Sequence, residues 1–328
     1  MTTSRIRILA TGGTIAGSGG SAFGSGYTPG QISAAHMVAE IKALGIDAAL
    51  DPVEIASIGS QDIGWAEWKL LHAEVLRAQA DDSFCGVIIT HGTDTAEETA
   101  FLLDLTLDAG KPVVLVGAMR PADAVGSDGM RNFANGVRVA SDPASAGRGV
   151  MVVMGDTVFA ASDVRKASTS SIDAFKGFPR GPLARVTPTS LDWFGPAARV
   201  DEKARFGWPD RLPRVAILTA GAGMDAKPVE ALLGIGCEGM VLAGMGQGNA
   251  PKVVLDALQA AVAAGVPVVR SSRVDEGMVD RTVEVDDDAR GLVAARTLGP
   301  AKARILLALL VAHGITDPDE VQAEFDRR

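Results

Sequence analysis

Two threonines flanked by glycine carry most of the chemistry this chain could perform. Thr14 follows the strand-like run RIRILA in TGGTIAG, and Thr93 follows GVIIT in HGTDTAEETA. In open parallel sheets ligands bind beyond the carboxyl ends of strands, so hydroxyls placed there are candidates for attack on an electrophile. An alcohol must lose its proton as the new bond forms, which calls for a neighbouring base. His91 lies inside the second motif, but His36, His72 and His313 show no pairing with it. Neither a metal site nor a Ser-His-Asp triad is expected. The remaining bases are a tyrosine, a lysine or a carboxylate. Tyr27, the sole tyrosine, ends the Gly/Ser-rich loop that Thr14 begins, and Lys166 in ASDVRKASTSS follows the run GVMVVM after a short turn. A phenol or an ammonium, with ordinary pKa values of about 10 and about 10.4, serves only if its surroundings tune it downward.

Each of these residues also has a plainer reading. TGGTIAG can be a glycine turn with an inert threonine. Asp94 stands where a helix N-cap belongs, and Glu97 three positions on completes a capping-box pattern before FLLDLTL. Lys166 taken alone is a solvated surface lysine. Capping does not account for Thr90, Thr93, Thr95 and Thr99 clustering at one strand end. Nucleotide chemistry is disfavoured, because both GxGxxG and GxxxxGK[ST] are missing. What Gly12 and Gly13 do permit is a sharp turn presenting the Thr14 hydroxyl and nearby backbone N–H groups.

The elements that must position these groups are legible from hydrophobic pattern. Apolar, β-branched runs at 5–11, 86–90, 112–119, 149–154, 214–220, 239–244 and 266–270 read as strands. Helix-length segments such as AEWKLLHAEVLRAQAD, TAEETAFLLDLTL and VVLDALQAAVAAG lie between them. Apolar strands separated by helices predict a parallel sheet covered on both faces. PAKARILLALLVAHG reads as the last helix, with proline in its first turn and Gly314 at its end. The rhythm breaks over 156–213, where prolines are frequent; its first part reads as hairpin and loop, its later part as an interdomain linker. The expected fold is α/β with two domains. A larger N-terminal domain at 1–195 carries a mainly parallel, doubly wound sheet, a linker runs over 196–213, and a smaller parallel-sheet domain occupies 214–328.

Composition narrows the class. The chain has 328 residues, 47% hydrophobic and 22% charged, the balance of a packed globular protein. Its net charge of −9 and the absence of basic runs argue against a nucleic-acid groove. No run of about 18 apolar residues occurs, so no membrane-spanning helix is expected. The first strand begins by Arg5, leaving no room for a secretory leader; the cytoplasm is the expected compartment, or the periplasm if a leader once preceded Met1. Cys85 and Cys237 lack metal-ligand spacing and read as core or boundary residues, without demanding a disulfide.

ATGGTIAG (10–17) and GVIITHGTDTAEETA (86–100) resemble the two signature segments of the bacterial-type L-asparaginases, in the asparaginase/glutaminase family. The resemblance extends through IGSQD, KPVVLVGAMRP, RGVMVVMGDTV, GMGQGN, VVRSSRV, EVDD and LGPAKARILL, nearly the whole chain. It implies hydrolysis of L-asparagine to L-aspartate and ammonia without metal or organic cofactor, with lower activity on L-glutamine. By the same resemblance Thr14 is the nucleophile that forms an acyl-enzyme, activated by Tyr27 from a mobile lid. Thr93, Asp94 and Lys166 form a second catalytic cluster; which threonine attacks at which step stays open. Ser60 and Gln61 match positions that hold the substrate α-carboxylate, and Asp94 the partner of its ammonium. Glu284 matches a carboxylate supplied to a neighbouring subunit's site, and Asn249 a position near that interface, within a homotetramer of paired dimers. A glutaminase-asparaginase preferring the longer amide, or a silent amino-acid-binding protein on the same fold, are the alternatives. Loss of Thr14, Tyr27, Thr93 or Lys166 would favour the silent protein, and all four are present.

Overall fold

Strands that are apolar on both faces can only be stable inside a sheet covered by helices on either side. The computed structural model of the chain describes residues 5–20, 28–199 and 202–327, and it divides into two units, Met1–Phe206 and Gly207–Arg328. In the first unit the order is β1 (Arg5–Gly12), α1 (Ala34–Ala43), β2 (Ala49–Ile58), α2 (Trp65–Ala80), β3 (Phe84–Thr90), α3 (Ala96–Thr106), β4 (Val113–Val116) and α4 (Gly129–Ser141). There follow β5 (Val150–Met154), β6 (Thr157–Ala160), β7 (Val164–Lys166), β8 (Phe175–Gly177), β9 (Ala184–Val186) and β10 (Leu191–Trp193). The main sheet runs β10-β9-β6-β5-β4-β3-β1-β2, and β7 pairs with β8 in a separate ribbon. From β2 to β5 the strands are parallel, and from β5 outward they turn antiparallel.

One face of this sheet, with Ile8, Ile88, Val114 and Val153, packs on Met37 and Ile41 of α1 and Phe133 and Val137 of α4. Alternation along a strand sends the equally buried Leu9, Ile89 and Leu115 to the opposite face. There α2 packs on β1 to β3 and α3 on β5.

The second unit holds β11 (Val215–Thr219), α5 (Lys227–Gly234), β12 (Gly239–Gly244), α6 (Lys252–Ala263), β13 (Val268–Ser272), α7 (Asp287–Arg290), β14 (Val293–Ala294), α8 (Pro300–Ala312) and α9 (Pro318–Asp326). Its sheet is parallel in the order β11-β12-β13-β14. Arg270 and Asp287 form a fully buried bidentate pair, with both N–O distances 2.6 Å. The remaining guanidinium protons reach the carbonyls of Gln247, Gly248 and Asp280, and Asp287 also accepts from the Thr282 amide. One buried pair thus ties the turn before Asn249 to the loop that carries Glu284.

Three features depart from the sequence pattern. Strand β2 has no apolar run: it lies at the sheet edge, where Pro52 is tolerated and the outer side stays half-exposed. The proline-rich stretch after Asp156 is hairpin and loop in its first part, as expected, but three of its short strands, β6, β9 and β10, extend the main sheet. PAKARILLALLVAHG is not the final helix. It ends as expected at Gly314, whose φ is +76°, but α9 follows, capped by Asp317, whose carboxylate accepts from the Asp319 and Glu320 amides.

Candidate active site

The site begins with a close approach of two backbones. β1 and β3 are neighbours, with Ala10 opposite Thr90, so TGGT and HGTD leave the same sheet edge side by side. Gly12 and Gly13 have φ of +98° and +77°. A Cβ on Gly13 would sit 2.5 Å from both Cα and N of Gly92, and one on Gly92 would sit 2.7 Å from the Ser60 hydroxyl. Three chain segments therefore pack closely, Gly13 against the Gly92 backbone and Gly92 against the Ser60 side chain, which only glycine allows. Thr14, Ser60 and Thr93, each next to one of these contacts, are all buried. Thr14 opens a single 3₁₀ turn, Thr14–Ala16, and Ser60 opens another, Ser60–Asp62. The Thr95 hydroxyl donates to the Ser60 carbonyl at 2.7 Å, locking the second turn to the third segment. Gln61 is exposed on that turn and bonds to Asp62.

Lys166 completes a cluster with the second threonine. Its Nζ donates to Thr93 Oγ1 at 2.9 Å and to Asp94 Oδ1 at 2.5 Å. The lysine is mostly buried, whereas Asp94 is exposed. A lysine proton on Thr93 Oγ1 directs the threonine's own O–H away from Nζ, and the positive charge favours loss of that proton. Lys166 ends β7, whose base is clamped by a bidentate pair between buried Asp163 and Arg180, with both N–O distances 2.8 Å. Asp94 is not the helix cap: Thr95 holds the N-cap position of α3, and its side chain makes no capping bond. The carboxylate faces Lys166 instead.

His91 is buried and wired into a chain of fixed polarity. The Trp68 indole N–H, which can only donate, gives its proton to Thr99 Oγ1 at 2.8 Å. His91 Nδ1 lies 2.7 Å from the Gly92 carbonyl, which can only accept, and Nε2 lies 2.9 Å from Thr99 Oγ1. The proton is therefore on Nδ1, and Thr99 donates to Nε2. Burial pushes the imidazole pKa down to about 4, against a smaller raising effect of the Gly92 carbonyl. His91 is neutral and braces the Gly92–Thr93 turn. His72 bonds to the Thr106 carbonyl and His313 to that of Leu309, so neither joins it.

Tyr27 lies outside the described residues. Asn249 and Glu284 lie in the second unit, where Asn249 Nδ2 donates to Glu284 Oε2. No group of three or more His, Cys, Asp or Glu side chains is arranged to hold a metal ion among the described residues. Cys85 and Cys237 are both free thiols. Pattern reading did not single out Asp163, Arg180 or Trp68, whose partners are remote in sequence, and it met Thr99 only as one hydroxyl in a cluster.

The chain matches known proteins along nearly its whole length. The family described as "Asparaginase, N-terminal" matches residues 5–199, and "Glutaminase/Asparaginase C-terminal domain" matches residues 214–325. The chain is 42% identical to "L-asparaginase 2" of Escherichia coli strain K12, over 98% of this chain and 92% of the relative. It is 36% identical to a "Glutaminase-asparaginase" of Pseudomonas fluorescens biotype A, over 98% and 89%. A crystal structure of "Probable Cytoplasmic L-asparaginase from Campylobacter jejuni" superposes with a TM-score of 0.93 at 35% identity, covering 99% of this chain and all of that one. The chain belongs to the asparaginase family of hydrolases.

Proposed function

We propose that the chain hydrolyses the side-chain amide of L-asparagine through an acyl-enzyme on Thr14, with lower activity on L-glutamine. The observation that carries the reading is the pairing of strand ends: Gly13 against Gly92 sets the Thr14 turn beside a threonine already engaged by Lys166 and Asp94. Thr14 Oγ bonds to the amide carbon as its proton passes to Tyr27, acting as a phenolate. The Gly13 amide is taken up by the Ile58 carbonyl at 2.9 Å, so backbone N–H groups at the Gly92–Thr93 turn receive the oxyanion. The C–N bond then breaks, and the leaving nitrogen takes that proton back from Tyr27 as ammonia departs. Water, activated at Thr93 and Lys166, attacks the ester, releases L-aspartate and restores the Thr14 hydroxyl.

The substrate is a zwitterion, so its ends need opposite partners. Ser60 and Gln61 offer neutral donors to the α-carboxylate, and Asp94 a carboxylate to the ammonium. Glu284 adds a second carboxylate, supplied to the site of a neighbouring subunit in a homotetramer, with Asn249 holding it. The family resemblance supports that assembly. The proposed compartment is the cytoplasm, supported by the two free thiols. One methylene separates the two amides and is worth about 1–3 kcal/mol of discrimination, so motifs shared by asparaginases and glutaminases do not rank them.

The test is ammonia release from L-asparagine and L-glutamine, side by side, by wild type and Thr14→Ala. Faster turnover of asparagine, and loss of at least about 10³-fold in kcat on substitution, is the expected result. Undiminished turnover by Thr14→Ala would sink the nucleophile assignment.

A further inference from the structure

Asp123 lies in the segment joining β4 to α4, outside every motif that pointed to the chemistry. Its exposed carboxylate accepts from the Ser18 hydroxyl at 2.8 Å, from the Gly19 amide at 3.0 and 3.1 Å, and from the Gly20 amide at 2.8 Å. Next to it, the Ala122 amide donates to the Gly17 carbonyl at 3.0 Å. The chain leaving Thr14 is thus held at four consecutive residues by two neighbours on one loop.

The returning chain is held at the same place. Ser18 and Thr28 form an isolated antiparallel bridge, with amide-to-carbonyl distances of 3.0 and 3.4 Å. Below it the Gly17 amide bonds to the Thr14 carbonyl, and the Ile32 amide to that of Ala16. Ser18–Thr28 is therefore a neck that closes directly above the Thr14 turn.

Glycines 19 and 20 have no side chain to pack and lose more backbone freedom on ordering than any other residue. Something outside the segment must hold them. The Gly19 and Gly20 amides, then the Ser18 hydroxyl, hold the Asp123 carboxyl down to about 2, so it stays ionised and its bonds charge-assisted at any working pH.

We infer that Asp123 is a positioning residue, which ties Ser18–Gly20 and the bridged Thr28 to the segment before α4 and so fixes the turn that carries Thr14. The inference rests on the acyl-enzyme reading above. It assigns Asp123 no contact with substrate.

Asp123→Ala and Asp123→Asn test it, with two readouts. Hydrogen exchange by mass spectrometry on peptides spanning 15–28 reports the neck without reference to catalysis. Steady-state kinetics on L-asparagine, with L-aspartate binding measured separately, reports the chemistry. Asp123→Ala is expected to speed exchange across Ser18–Gly20 and lower kcat by at least about tenfold, while L-aspartate affinity stays within about threefold. Asp123→Asn keeps one acceptor oxygen and should fall between the two. Wild-type kcat in Asp123→Ala, or a fall in kcat with unchanged exchange, would overturn the inference. Loss of kcat matched by an equal loss of L-aspartate affinity would also overturn it. Should Thr14→Ala retain turnover, the acyl-enzyme reading fails on its own; faster exchange in Asp123→Ala then still supports the neck, and unchanged exchange removes it.

Discussion

At the scale of single residues, His91 and Lys166 show how burial separates support from chemistry. Lys166 keeps one end of its cluster in water through Asp94, whereas His91 is sealed between Gly92 and Thr99. The seal has a thermodynamic signature. A folded pKa of about 4 lies below the ordinary histidine value of 6.5, so the unfolded chain binds a proton that the native state refuses. The stability from neutral His91 is fully present above pH 6.5 and is lost as pH falls through 4, by roughly 3 kcal/mol. His72, also lowered by burial, adds with the same sign. Urea unfolding of His91→Gln across pH 7 to 4 should show a shallower acid flank than wild type. Parallel flanks would mean that His91 is protonated in the native state. Asp123 and Glu238, both held to about 2 against ordinary values of 3.8 and 4.5, add their own loss as pH falls below about 4.5, equally in wild type and His91→Gln, so the difference between the two flanks reports His91.

At the scale of elements, the contact between the first and second loops fixes the spacing of the two threonines. Gly13→Ala must place a methyl 2.5 Å from Gly92 Cα while keeping a φ of +77°, so the HGTD turn has to move. We expect loss of about 10²-fold or more in kcat, with a stability cost of about 1–3 kcal/mol. Gly45→Ala is the control. Its φ is +85°, but nothing lies within 4 Å of the added methyl, so it carries the backbone cost without moving the site. Equal activity in both variants would show that spacing is not critical. This contact explains what was readable in the sequence. Strands β1, β3, β4 and β5 showed themselves because both faces are buried, which leaves an apolar run. β2, with Asp51, Pro52 and Glu54, did not, since an edge strand has one solvated side. β9 and β10, three residues each, are too short for any period. The glycines marked a tight turn, but which backbone they approach depends on β1 lying beside β3.

At the scale of the whole molecule, the candidate residues divide between two sheets, each with its own core. Both threonine turns, Ser60 and Lys166 belong to the first, while Asn249 and Glu284 belong to a second unit organised by the Arg270–Asp287 pair. The sequence motifs named residues in both. Their supports stayed hidden, because Asp163–Arg180, Trp68–Thr99–His91 and Asp123 with Ser18 are joined only by tertiary contact. The pairing of β1 with β3 also bears on how the enzyme acquires activity. The crossover between them contains α1, β2 and α2, so the strand that ends near Thr14 and the one that ends near Thr93 meet only after a long loop has closed. Closing such a loop costs entropy before the strand contacts repay it, and parallel pairing is slow for that reason. On dilution from denaturant, helical circular dichroism should therefore recover before hydrolytic activity, and the lag should lengthen when β1–β3 packing is weakened by Ile89→Ala. Simultaneous recovery would show that the strands find each other as early as the helices form. The young chain would then carry its paired threonine turns ready-made, instead of assembling them as the last event of folding.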